Sequence, residues 1–312
     1  MLGILFVMIW SKPGLAAVQA KYLYNLSNFT GTIPYEEVRI FMDRENNEIY
    51  VSNRGQGTVK IFNENGMEIY SFGEDADLGA ILDGQVEKGT TILLLSYKMI
   101  EGSFKYFIIQ CNFRGEPVSE TEIKNLPAKF SDFQPSRMVL RNGNLYLADL
   151  NRMKIVVTDM SGNFKDGYDI VAILELTEQQ RADSGFGGFT VDKDGNIFFT
   201  IPVFFRAYKL LPDRNIKDNI RDFGRRGSGP GRFNVISGIV TDDKGYIYIA
   251  DKLRCVVMIF DKNFNFQIEF GYRGFQPGRL IVPMHLEMDR KDRLYVTQMR
   301  KRGISVFQIT YE

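Results

Sequence analysis

One histidine and two cysteines in 312 residues leave little from which to build a metal centre, a haem ligand set or a disulfide framework. The single tryptophan, Trp10, sits near the N-terminus. Neither charge sign dominates: 39 Lys and Arg stand against 38 Asp and Glu, so bulk charge draws no polyanion. What is plentiful is aromatic, with 25 Phe and 15 Tyr in a chain that is 44% hydrophobic. Rings pack well on pleated surfaces, so this composition favours strands. It also excludes a disordered or collagenous chain. Twenty-nine glycines, many beside Asp or Asn in turn-like clusters, add to an all-β reading. Length alone suggests about two domains.

The longest apolar run at the N-terminus, Leu2 to Trp10, is broken by Ser11, Lys12, Pro13 and Gly14. As a helix it spans about 14 Å, far short of a bilayer core of about 30 Å. A short apolar run followed by small residues reads as a secretory signal. Val18 and Ala20 suit the −3 and −1 positions, which places cleavage after Ala20. Residues 1–20 are then a leader and 21–312 a single domain. Removal takes away Lys12 and Trp10, so the mature chain balances its charges and holds no tryptophan. Export permits a disulfide. Cys111, at the end of one strand, and Cys255, at the start of another three units away, are instead expected as separate buried thiols.

Two stretches align without a gap at an offset of 47, Phe223–Asp251 and Phe270–Gln298. Phe, Gly, Arg, Gly, Pro, Gly and Arg recur in step before an apolar strand, a charged turn and a second strand. A fixed period of this size marks an array of supersecondary units. The second strand can be followed through IYVSN, LYLAD, IFFTI, IYIAD and LYVTQ, with aromatics at Tyr50, Tyr146, Phe198, Tyr248 and Tyr295. Their separations are 96, 52, 50 and 47; the first is two periods, and LLLSY near Leu94 fills the gap. Six units of four short strands use the whole chain. The last unit stops after its third strand at Glu312. Lys21–Gly31 reads as its displaced fourth strand, so the N-terminus is expected to close the ring and protect both edges. One helix is expected, where Thr177 and Gln180 form a capping box.

The GRRGSGPGRF segment at Gly224–Phe233, the Asp243-Lys244-Gly245 turn and the IYIAD strand resemble NHL repeats. The resemblance is closest over residues 223–300 and covers most of the mature chain. It implies a six-bladed β-propeller of four-stranded blades, and it implies little about function. Propeller enzymes place their sites on the inner strands around the channel. The amidating lyases of similar architecture use several His around zinc, whereas here only His285 is available. Its repeat equivalents read as Arg39, Ser136, Gly188 and Gly238. Lactonase-like propellers hold a divalent cation with oxygen ligands. The position ending the second strand carries Asn53, Asp149, Ile201, Asp251 and Gln298, a poor cage. Asp149 and Asp251 are expected to bond local backbone. No catalytic residue, metal site or cofactor is assigned. Glu287 is a stray acid on an inner strand.

Antiparallel order puts the loops between strands two and three on the same face as the blade-joining loops. That face carries Arg54, Arg152, Arg206, Lys252, Arg254, Arg300, Lys301 and Arg302, and the joining loops add Arg225, Arg226, Arg232, Arg273 and Arg279. The opposite face carries mixed or acidic turns. For Arg232 and Arg279, which recur in register, a structural use bonding carbonyls between blades weighs evenly against a place on the open face. The expected partner-binding set is Arg225, Arg226, Arg273, Arg300, Lys301 and Arg302. The sequence thus reads as an exported, monomeric, non-catalytic scaffold, periplasmic or extracellular, that binds a protein or other anionic partner. Some intracellular NHL propellers bind RNA through a basic face; export removes that ligand. The alternative is a metal-dependent channel enzyme of lyase or lactonase type.

Overall fold

A computed structural model describes residues 18–28, 31–32, 38–53, 57–212, 219–299 and 303–311. Strands β1 (Val18–Asn28) and β2 (Gly31–Thr32) come first in the chain but belong to the last blade. Blade one holds β3 (Val38–Asp43), β4 (Glu48–Asn53), β5 (Thr58–Phe62) and β6 (Glu68–Phe72). Blade two holds β7 (Ala80–Glu87), β8 (Thr91–Ile100), β9 (Ser103–Cys111) and β10 (Pro117–Glu122). Blade three holds β11 (Arg137–Arg141), β12 (Asn144–Asp149), β13 (Lys154–Asp159) and β14 (Phe164–Asp169). Blade four follows the short helices α1 (Ile170–Ile173) and α2 (Glu178–Asp183), with β15 (Gly188–Val191), β16 (Ile197–Ile201), β17 (Arg206–Leu210) and β18 (Ile220–Phe223). Blade five holds β19 (Ile236–Thr241), β20 (Ile247–Asp251), β21 (Val256–Phe260) and β22 (Phe266–Gly271). Blade six holds β23 (Pro283–Met288), β24 (Arg293–Gln298) and β25 (Ile304–Tyr311), completed by β1.

Each innermost strand packs beside the next, β3 on β7, β7 on β11, β11 on β15, β15 on β19, β19 on β23 and β23 on β3. That circuit makes the molecule a six-bladed propeller with a central channel. The core is accordingly divided into six apolar seams, one between each pair of blades. On β20, Tyr248 and Ala250 enter the seam toward blade six, while Ile247 and Ile249 enter the one toward blade four. A strand buried on both sides reads as a continuous apolar run, which is why IYIAD and VVMIF look as they do.

The recurrent polar residues fasten the blades. Asp242 Oδ1 opens the first turn of blade five by accepting from Lys244 N–H at 2.9 Å and Tyr246 N–H at 2.8 Å. The strand-two tyrosine then donates to the same carboxylate, Tyr248 Oη to Asp242 Oδ2 at 2.8 Å. Blade six repeats this with Asp289, Lys291, Arg293 and Tyr295. The glycine of each Phe-Gly pair is also dictated by packing. Gly224 and Gly271 have φ of +97° and +105°, and an added Cβ would stand 2.1 Å from the Phe233 ring and 2.5 Å from Leu280.

Ring closure takes the expected form. β1 runs antiparallel to β25, pairing Val18 with Tyr311 through to Leu26 with Ile304. The strand begins earlier than the leader reading implies: Val18, Gln19 and Ala20 pair with Tyr311, Thr310 and Ile309. Cys111 and Cys255 are free and buried. The capping box forms at α2, where Gln180 N–H donates to Thr177 Oγ1 at 3.3 Å and Thr177 N–H to Gln180 Oε1 at 3.0 Å. Among the described residues no helix is long and apolar enough to cross a membrane.

Candidate binding face and central channel

The two Phe-Gly-Arg loops fold alike because they share register. In the loop from β18 to β19, Phe233 N–H donates to Arg225 O at 2.9 Å and Gly227 N–H to Phe233 O at 3.0 Å. In the loop from β22 to β23, Leu280 N–H donates to Tyr272 O at 3.0 Å. The apolar plug, Phe233 or Leu280, is fully buried, and the residues it anchors point outward. Arg225, Arg226 and Arg273 are exposed, as are Arg232 and Arg279. The Arg226 guanidinium lies 5.1 Å from the Phe205 ring centroid, and that of Arg279 lies 5.8 Å from the Tyr272 centroid. Arg300, Lys301 and Arg302, and Arg54 with them, lie outside the described residues.

Three arginines that the sequence counts toward the open basic face are already neutralised. Arg152 faces Asp132 and Asp149, Arg206 faces Asp222, and Arg254 is buried against Glu269. Each finds a carboxylate nearby, on its own loop or strand or the one beside it. Lys252 is half-buried, and burial, with Arg39 nearby, holds its ammonium below the ordinary lysine range. Among the described residues, the charge that stays open on this face therefore concentrates in the joining loops. Sequence reasoning missed the apolar part of the same face. Phe275 is 75% exposed, Leu253 58%, Tyr272 46%, Val203 45% and Val235 40%. All five come from loops between strands two and three or between blades. A signal existed: Phe275 stands where the aligned loop has Ser228, an aromatic that the repeat itself does not need.

The channel is lined from β3, β7, β11, β15, β19 and β23. His285 lies on β23 with Glu287 two residues on, so both face the same side of the strand. The one-residue alignment of blade three requires correction. Arg137 opposes Ala148 as Arg39 opposes Ser52, so Arg137 and not Ser136 is the inward residue there. The slip arises because β19 and β23 carry bulges, at Ser237-Gly238 and Met284-His285, which the unbulged β11 lacks. Burial first, then Arg39, Arg137 and Lys252, hold the His285 imidazole well below its ordinary pKa, so it is neutral. Burial pushes the Glu287 carboxyl up to about 7, against the pull of Arg44, Arg137 and Arg141. Arg141 is itself lowered to about 10 by burial and Arg44.

The acids ending strand two are occupied, as expected. Asp149 accepts from the N–H groups of Gln134, Asn151 and Arg152, and Asp251 from those of Asn234, Leu253 and Arg254. Gln298 Oε1 accepts from Ile281 N–H at 2.7 Å. Among the described residues, no three His, Cys, Asp or Glu side chains converge.

No protein-family model matches this chain, and no curated protein matches it in sequence. Solved structures do match in shape. A Bacteroides thetaiotaomicron protein of unknown function aligns over 94% of this chain and 76% of its own, with a TM-score of 0.64 and 12% identity. Virginiamycin B lyase from Staphylococcus aureus aligns over 94% and 99%, with a TM-score of 0.57 and 11% identity. A Xanthomonas campestris gluconolactonase aligns over 94% and 90%, with a TM-score of 0.58 and 10% identity. At such identities the likeness is one of fold alone. Enzymes and proteins of unknown function share this propeller, so function has to be argued from the residues.

Proposed function

We propose that the protein is an exported, non-catalytic propeller of NHL type that binds an acidic protein partner through the loop face of blades four to six. The observation that carries this is the company the open arginines keep. Arg225, Arg226 and Arg273 share one face with exposed Phe275, Tyr272, Leu253 and Val235. Aromatic and arginine side chains are enriched where proteins meet, and a few such anchors dominate binding energy. Arginine adds a planar fork for carboxylates. Each exposed ion pair contributes at most about 1 kcal/mol, so several must act together with the apolar anchors. The apolar run Leu2–Trp10 supports export, and a protein surface rather than RNA as the ligand.

The test compares wild type with the R225E/R226E/R273E triple variant and with F275A as bait against native envelope extract. A partner held by wild type in low salt should be released as salt rises and should be lost from both variants, while their melts stay within a degree or two of wild type. Retention by the triple variant with unchanged salt dependence would place the binding surface elsewhere. Intact mass of the native protein tests export, since removal of the leader also removes Trp10 and its emission.

A second reading, a channel enzyme, rests on Glu287, because a carboxyl near neutrality suits general acid–base work. The residues around it do not fit a metal-dependent version. Arg44, Arg137 and Arg141 all act on Glu287, and such a field repels a dication. If E287Q or H285A abolishes a turnover that the triple variant retains, the channel is the site of function.

A further inference from the structure

On the face opposite the binding loops, the turns of successive blades are clasped by ion pairs. Lys244, in the turn from β19 to β20, meets Asp292, in the turn from β23 to β24, with Nζ 2.6 Å from Oδ1. Lys291 of that second turn meets Glu64, between β5 and β6. Blades four and five have no such clasp, and the register shows why. Asp192-Lys193-Asp194-Gly195 aligns with Asp242-Asp243-Lys244-Gly245 and with Asp289-Arg290-Lys291-Asp292. Asp194 therefore stands where the clasp needs its lysine, and Gly245 where it needs its acid.

A cavity of about 290 Å³ opens between the two blades at this point. That is near the lower end for small-molecule pockets, about 300–1,000 Å³. Three lysines enter it from three elements: Lys193 from the turn between β15 and β16, Lys209 from β17, and Lys262 from the turn between β21 and β22. Lys209 Nζ lies 5.4 Å from the centroid of the buried Phe198 ring, which forms part of the floor with Thr241.

The charges of the lining do not cancel. Asp192 is spent inside its own turn, accepting from Asp194 N–H at 2.9 Å and from the N–H and Nδ2 of Asn196, each at 2.8 Å. Lys244 is held by Asp292, and Asp243 faces Arg44 at 3.9 Å. Among the described residues no carboxylate lies within ion-pair distance of Lys193, Lys209 or Lys262. Three ammonium groups thus stay open against Asp194, and they outnumber the acids even with Asp243 counted as free. Lysine is a compact point charge suited to phosphate-like oxygens, whereas arginine's planar fork matches a carboxylate better. The cavity is larger than a tetrahedral anion alone fills, and Asp194, an acceptor only, calls for hydroxyl donors. We infer that this cavity binds a sugar-sized phosphate or sulfate ester, its anion on Lys193, Lys209 and Lys262 and its hydroxyls toward Asp194 and Thr241.

Ligand-observed proton NMR of the whole chain with glucose 6-phosphate, glucose 6-sulfate and glucose as probes tests this. At least one ester should bind saturably, and the tighter of the two names the anion; glucose should not bind. K209M/K262Q should weaken that ester at least about tenfold, while R225E/R226E/R273E on the other face leaves it unchanged. Lys262 is exposed on a turn, so K262E alone serves if the double variant does not fold. Binding of neither ester, equal binding of glucose, displacement of the ester by inorganic phosphate at equal concentration, or full affinity in the folded lysine variant would each overturn the inference. Equal weakening by the arginine variant would move the site to the loop face and overturn it as well.

Discussion

Two residues on β23 pull stability in opposite directions as pH changes. Glu287 titrates near 7 in the folded chain against about 4.3 unfolded, so the folded state holds its proton more tightly. Its contribution is therefore present in acid and is lost as pH rises from about 4 through 7. His285 behaves conversely. Its folded pKa lies below the unfolded value of about 6.5, so its contribution is complete above that value and is lost as pH falls. Glu287→Gln should remove the first effect. A shift of this size corresponds to a gain of up to about 4 kcal/mol at pH 8 and little at pH 4. Urea unfolding of both proteins from pH 4 to 9 reads the difference. A variant curve parallel to wild type throughout would mean that Glu287 titrates normally and that the channel is more hydrated than its packing implies.

At the scale of elements, β1 carries its own internal control. Leu26 is 1% exposed in the seam between blades six and one, whereas Leu23 on the same strand is 37% exposed. Leu26→Ala should cost about 2–5 kcal/mol by lost transfer energy and cavity, and Leu23→Ala well under 1 kcal/mol. Equal effects would show that β1 is not held in this register. The start of β1 has its own consequence. Val18 is 3% exposed, so a chain beginning at Lys21 gives up its burial, about 1.5–3 kcal/mol, together with three paired residues. A melt of chains beginning at Val18 and at Lys21 should separate them in that order. Strands of this kind were legible because period, turn residues and aromatic positions all repeat; even the missing fourth strand of blade six could be counted. The bulges at Ser237-Gly238 and Met284-His285 were not, since an extra residue leaves no mark in composition, and the channel residue of blade three was misassigned by one. Nor were the pairs Arg206–Asp222 and Arg254–Glu269, whose members meet only once neighbouring strands are in register. The exposure of Arg225, Arg226 and Arg273 followed from their place in the repeat. The apolar residues of that face were hidden by the assumption that Phe and Leu belong inside.

For the molecule as a whole, the pairing of β1 with β25 decides how the ring opens. Five of the six seams join blades that follow one another along the chain and are tethered by a loop. The sixth, between blades six and one, is tethered because β1 is pinned to β25 before the chain continues into β3. Val18 pairs with Tyr311, so in a chain cut to begin at Val18 a short turn can join β25 to β1. A permuted chain joined there and cut after Thr32 would keep all strand pairs of blade six and every seam. It would lose only the covalent tether at the sixth seam, leaving apolar packing around Leu26, Ile40 and Tyr295 to hold it. Native contacts are conserved, so the midpoint of unfolding should move little. Local opening of that seam should become easier, because separated blades are no longer held at high effective concentration. Amide hydrogen exchange should accelerate at least tenfold, about 1.4 kcal/mol, in β3 and β23, and not in β11 or β15 on the far side of the ring. Uniform acceleration around the ring would mean that the propeller opens as one unit, and that the displaced strand serves the fold only by covering an edge.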